Sequence, residues 1–421
     1  MGAIYVEVQL VAGLLAVESG QDAVIRALLY KRAKENLHPY GVTVAEFTDS
    51  ISEIRNELGN AGLKDEGLIV PKYQGAEGKI SGKILAGDNY SLGFARTPEE
   101  ILRIVYGGGD ERAPGGIIVA SLLLITPISY SSQLVIRNIV DDEHKISCSI
   151  PENDIDLLEF PLNLEYLGAE FFLHASMGHG LDRYAPSLAS GGPRPLGAKK
   201  ANLDPFIRDV IEQFAWQNVG HLRGIKKTVE GFPRPLLDLR AELFAEVMDK
   251  AFGRSLSPPF DPYASGLNFL IASYMIPYVC LTGYIGTNQR LEGSASKQLV
   301  AGLLAVKSGQ DAIIRGLLYQ RAFEKLQPYG ITVAEFTDRI SDLRNKLGHR
   351  GLKDEGLIVP QYQGAEGKIR GNVLVGNQYS VGFARSPREI LRIVYGGGNE
   401  HSAGGFFPHG ANGRIARSYI H

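Results

Sequence analysis

From residue 151 onward, apolar positions recur at helical spacing in four separate stretches. In DIDLLEFPLNLEYLGAEFFLHA (154–175), Leu158, Leu162, Glu165, Ala169 and Phe172 fall on one stripe with steps of four and three. That stripe carries Glu165 inward among apolar neighbours, where a carboxylate is costly unless it is paired, hydrogen-bonded or bound to a metal. The second stretch, 203–229, opens with Asp204 as a cap and Pro205 at the first helical position. Its stripe runs Ile207, Ile211, Phe214, Asn218, His221, Ile225 and Val229, so Asn218 and His221 point inward at mid-helix. A third stretch, 263–286, offers Leu267, Ile271, Tyr274, Tyr278 and Leu281, with a kink expected at Pro277. The fourth presents Leu299, Leu303, Val306, Gln310, Ile313 and Leu317. Lys307 sits on the edge of that face, where pairing with Asp311 one turn on and solvation is one alternative to a place in the polar centre. Four amphipathic helices, each with a polar residue at mid-stripe, predict an all-α bundle with a polar centre over 151–326.

The fourth stretch is written twice. Residues 9–111 align with 298–400 without a gap, about three quarters of the positions being identical, a spacing too wide for a solenoid repeat. Each copy holds a long helix (13–35, 302–324) and a second helix that Thr43 or Thr332 can cap. Gly-punctuated segments follow, then a short helix with proline at N1 behind Thr97 or Ser386. Residues 154–297 have no duplicate. Residues 1–111 therefore read as the tail of a bundle whose front is missing, placed ahead of a complete bundle whose own extension is 327–421. The first copy's helix is expected to pack poorly, to dock outside the bundle, or to compete with 298–324 for the same groove. The junction, 112–150, contains GGIIVASLLLITPISYSSQ, an apolar run of about a dozen residues whose length suits a secretory signal and is too short to span a bilayer.

Composition narrows the function. Hydrophobic residues make up 44% and charged residues 21%, as in soluble globular proteins. A net charge of -2 gives no basis for a nucleic-acid partner, and no stable membrane span is expected. Two cysteines, Cys148 and Cys280, exclude a disulfide framework and a Cys-rich zinc site. The Gly-rich YGGGNEHSAGG follows a helix and lacks the Lys-Ser/Thr of a phosphate loop. His174 and His179 near a helix end, and Lys199 and Lys200 in a loop, need no explanation beyond solvation.

The segments DLLEFPLNLEYLGAEFF, EQFAWQNVGHLRGIKKTVEGFPRPLLDL, FDPYASGLNFLIASYMIPYVCLTGYIGT and SGQDAIIRGLLYQRA closely resemble the plant desiccation-related proteins, a secreted branch of the ferritin-like superfamily. The likeness covers 151–421 and, as a duplicate of its later part, 9–111. It implies a ferritin-like four-helix bundle, an extracellular (apoplastic) location, and a protective role in water stress; sugar, wall polymer and membrane surface are all open as the protected component, with cell-wall or sugar contacts among the candidate partners. Active members of the superfamily bind two metals with a Glu from each of two helices and Glu-x-x-His from each of the others. Glu165 matches the first Glu, and Asn218-x-x-His221 matches one motif with Asn in place of Glu. Tyr274 or Tyr278 stands where the third helix should offer Glu, and Lys307-x-x-Gln310 where the fourth should offer Glu-x-x-His. Glu165 and His221 are the surviving ligand candidates. The expectation is a relic centre without cofactor, in which Asn218, Lys307, Gln310 and the hydroxyls of Tyr274 and Tyr278 surround a Glu165–His221 pair. The rival reading is an iron or manganese oxidoreductase, or an iron-binding protein. The first copy keeps Glu18-x-x-Gln21 at the same place.

Overall fold

The computed structural model describes residues 2–115 and 150–420; the signal-like run and Cys148 lie outside the described residues. Its helices of eight residues or more are α1 (Gly2–Tyr30), α2 (Val44–Gly59), α3 (Pro98–Tyr106), α4 (Glu152–Glu159), α5 (Leu162–Met177), α6 (Pro205–Thr228), α7 (Ala241–Phe252), α8 (Gly266–Ser273), α9 (Pro277–Asn288), α10 (Ser294–Tyr319), α11 (Val333–Gly348) and α12 (Pro387–Val394). Two-residue antiparallel hairpins, 36–37 with 42–43 and 325–326 with 331–332, join each copy's long helix to its second helix.

The bundle consists of α5 packed on α6 and the α8–α9 pair packed on α10. Local chemistry sets its boundaries. Pro161 cannot donate a backbone hydrogen bond into the preceding turn, so the first stretch splits into α4 and α5 although Phe160 and Pro161 keep helical backbone angles. Asp204 caps α6, its carboxylate accepting from the Ile207 amide at 3.0 Å. Ser386 and Glu389 close a capping box at α12 with Pro387 behind it. The third stretch is interrupted more severely than a kink: residues 274–276 leave the helix, and α9 restarts at Pro277. α8 and α9 together are apolar and long enough to cross a membrane, yet 94% of that window is buried inside the fold. An aromatic layer locks the bundle: Phe171 stacks on Phe269 at 4.6 Å and on Phe244 at 5.3 Å. Each such contact adds about 0.5–1.5 kcal/mol to the burial of the rings. Phe244 comes from α7, a helix the hydrophobic pattern did not reveal.

The first copy's helix α1 lies along α10 and does not replace it. Ala16 meets Ser308, Gly20 meets Ala312 and Val24 meets Gly316, so the two helices run in the same direction. Small residues on both helices permit this approach. Within each copy an arginine staples the extension back onto its helix. Arg315 donates to the carbonyls of Val373, Glu355, Gly356 and Asn372, and Arg26 donates to those of Ile84, Glu66, Gly67 and Lys83 at the corresponding positions. The two copies thus share one local fold. They differ in what covers them.

Candidate metal centre

Glu165 on α5 is fully buried at the middle of the bundle. Its Oε2 lies 3.0 Å from the Lys307 ammonium of α10 and accepts from His221 Nδ1 of α6 at 3.1 Å. Its Oε1 accepts from the Tyr284 hydroxyl at 2.7 Å and from the Cys280 thiol at 3.6 Å, both on α9. Lys307 also donates to Asn218 Oδ1 at 2.6 Å and to Gln310 Oε1 at 3.2 Å. Gln310 in turn donates to Gln217 Oε1 at 3.0 Å. The remaining ring nitrogen of His221 donates at 3.0 Å to the carbonyl of Ser91, a residue of the first copy. Every bundle helix but α8 contributes, and the duplicate closes the site from outside.

The electrostatics follow from this packing. Burial alone would raise the Glu165 carboxyl, but the Lys307 ammonium and then His221 outweigh it and hold the group down at about 2. Burial, reinforced by the neighbouring Glu165 carboxylate, pushes both the Cys280 thiol and the Tyr284 hydroxyl well up. Both therefore remain hydrogen donors to Glu165. A thiol so raised is no nucleophile.

The structure brings Glu165, His221, Asn218, Lys307 and Gln310 together, excludes the solvated alternative for Lys307 and corrects the placement of two tyrosines. Lys307 is neither at the edge nor solvated: it is 2% exposed and aims at the centre, away from Asp311. Tyr274 and Tyr278 are not part of the centre. The Tyr274 hydroxyl bonds Ser341 at 2.8 Å and accepts from Arg315 at 2.7 Å. The Tyr278 hydroxyl donates to the Lys353 carbonyl at 2.7 Å. Both belong to a second buried cluster where α8 and α9 meet the extension. There, the Arg344 guanidinium lies 4.8 Å over the Tyr274 ring and 5.3 Å over Tyr278. Asp311 is in this cluster too. Burial, only partly offset by Arg315 and Arg344, raises it to about 6. The tyrosine that reaches Glu165 is Tyr284. The non-helical turn at 274–276 resets the helical phase, so a stripe carried across Pro277 selects the wrong face. Cys280 and Tyr284, one turn apart beyond the proline, were the available signal.

This donor set does not fit a pair of metal ions. The centre holds one carboxylate, already satisfied by four donors, and a fixed cation stands beside it. The buried Asn218 Nδ2 has no hydrogen-bond partner among the described residues, and an amide N–H offers a metal no lone pair. Among the described residues, no group of three or more His, Cys, Asp or Glu is placed to hold a metal ion.

The ferritin-like domain family matches residues 153–320. The desiccation-related protein PCC13-62 of Craterostigma plantagineum is 58% identical over 271 residues, covering 64% of this chain and 87% of that relative. The ferritin-like catalase Nec2 of Nesocodon mauritianus is 56% identical over the same length and with the same coverage. No solved structure matches the chain. With its bundle, its buried Glu165–His221 pair and relatives of this similarity, the chain belongs to the ferritin-like family of plant desiccation-related proteins.

Proposed function

We propose that this chain is a non-catalytic, desiccation-associated ferritin-like protein that works outside the cell as a stable protective scaffold. The observation that carries the reading is the Lys307 ammonium 3.0 Å from Glu165, where a metal-binding relative would need a cation. An internal ammonium neutralises the buried carboxylate permanently, and no exchangeable ion is required for the bundle to hold. The thiol and phenol beside it are kept protonated, so neither serves as a nucleophile. The name of the second relative, a ferritin-like catalase, favours a di-metal oxidoreductase as the alternative.

Hydrogen peroxide consumption separates the two. The purified chain, dialysed against Mn(II) or Fe(II) and freed of excess ion, should consume peroxide no faster than buffer. A saturable rate that tracks protein concentration would establish the oxidoreductase instead. For location, a chain starting at Pro114 with an added Met should be secreted and cleaved near residues 129–133. Efficient secretion of the full chain with residues 1–113 retained would refute the signal reading of that segment.

A further inference from the structure

The contact between the two copies is reciprocal. The Gly93 amide of the first copy donates to the Gly302 carbonyl on α10 at 3.1 Å, and the Gly382 amide of the second donates to the Gly13 carbonyl on α1 at 3.1 Å. Gly93 corresponds to Gly382 in the repeat, and Gly13 to Gly302. Each copy therefore gives the other the same pair of groups, the signature of an isologous two-fold interface. Only one side of this pair has a bundle front.

What is missing can be read from the mismatch between copies. On α1, Val11, Leu14 and Ile25 are 64%, 41% and 58% exposed, whereas their counterparts Val300, Leu303 and Ile314 are 0%, 1% and 0% exposed within the bundle. On α3, Ile101, Leu102 and Val105 are 48%, 37% and 47% exposed, against 1%, 1% and 4% for Ile390, Leu391 and Val394 on α12. Glu18 likewise faces solvent where Lys307 faces the centre. These are the surfaces that α5–α9 cover in the second copy.

The second copy has the complementary gap. In the first copy, α6 seats against the loop 77–91: Arg223 pairs with Glu77 at 2.8 Å, Gln213 accepts from the Ile84 amide at 2.9 Å, and Asp209 accepts from Tyr30 at 2.7 Å. Among the described residues, the counterparts Glu366, Val373 and Tyr319 receive no such helix. Instead, a groove of about 460 Å³ runs past Tyr319, Ala365, Ile369, Val373 and Ser380, bounded on its other side by Val17 and Gln21 of α1. Ser380 holds the positive φ of 55° that Ser91 holds at 57°, the backbone shape that presents a carbonyl to His221.

We propose that the exposed faces of α1 and α3 and the groove along 363–380 form one docking surface for the leading half of a second ferritin-like bundle, a polypeptide of the kind of residues 150–297. A helix like α6 would occupy the groove, with its arginine on Glu366 and its histidine against the Ser380 carbonyl. Helices like α8 and α9 would cover α1 and α3. The product is a two-fold pair of complete bundles.

The test is co-expression of the full chain with a separately tagged copy of residues 150–297, followed by affinity capture and mass measurement in solution. The wild-type chain should retain the fragment at one to one. The double variant Leu14→Arg, Ile25→Arg alters only exposed positions, so its circular dichroism and melt should match the wild type while its capture falls at least tenfold. A fragment that stays insoluble or uncaptured beside the wild-type chain overturns the proposal, as does capture unchanged by the double variant.

Discussion

Replacing Lys307 by Met removes the ammonium while keeping most of the side-chain volume, and leaves Glu165 buried with its neutral donors and His221 alone. The magnitude can be worked in two ways. Glu165 is held at about 2 instead of 4.5, and at about 1.4 kcal/mol per unit this amounts to about 3 kcal/mol of stability at neutral pH. Breaking a buried ion pair from one side typically costs about 3–5 kcal/mol. The two agree. Because the folded-state value is depressed, this stability is fully present above pH 4.5 and disappears as pH falls through the folded value near 2. Guanidinium unfolding followed by circular dichroism should therefore show Lys307→Met less stable by about 3–5 kcal/mol at pH 7, with the deficit shrinking towards pH 3. Adding Glu165→Gln should recover at least half of the loss, since a buried pair replaced on both sides is often neutral. A loss below about 1 kcal/mol, or one equal at pH 7 and pH 3, would show that Lys307 does not neutralise Glu165.

Three further outcomes follow from the same structure. Asp311 has a folded-state value raised to about 6 from 3.8, so its charge opposes folding at neutral pH and the cost vanishes as pH falls below about 4; Asp311→Asn should stabilise the chain by about 3 kcal/mol at pH 7 and by little at pH 4, read by unfolding at both. Arg315→Lys replaces a five-donor fork by a point charge and strands the carbonyls of residues 355, 356, 372 and 373; a loss of about 2–4 kcal/mol is expected in the same assay. Residues 151–421 alone, comparable to the 271 residues aligned with the relatives, should form a dimer through the uncovered face of α10, and Gly309→Gln, whose side chain would meet Leu85- and Ala23-like positions across the interface, should return it to a monomer by light scattering.

Much of this arrangement was legible in the sequence. The stripe through 207–229 and its Asp204–Pro205 start gave α6 almost to the residue, and the inward placement of Glu165, Asn218, His221 and Gln310 was enough to bring them together. Lys307 lies just off the strict stripe, between Val306 and Gln310, so the pattern left a solvated edge position open beside its place in the polar centre. A four-carbon stem then carries the ammonium to the centre. The tyrosines were misplaced because periodicity is a local signal, and three non-helical residues before Pro277 erase its phase. α7 was hidden because its burial depends on α11 and Phe406, partners far away in sequence. The docking of α1 could not be read from the apolar stripe, which faces solvent. The small residues Gly13, Ala16, Gly20 and Ala23 on the opposite side were its trace.

The central claim is that a lysine occupies the place of the metals, and metal content per chain tests it most directly. Wild type and the triple variant Lys307→Glu, Asn218→Glu, Gln310→His should be purified alike, exposed to Fe(II) or Mn(II), dialysed, and analysed by elemental mass spectrometry. The triple variant restores carboxylates and an imidazole at the vacant ligand positions and should retain metal, while the wild type should retain essentially none. About two ions bound to each wild-type chain would contradict the account, and the oxidoreductase reading would replace it.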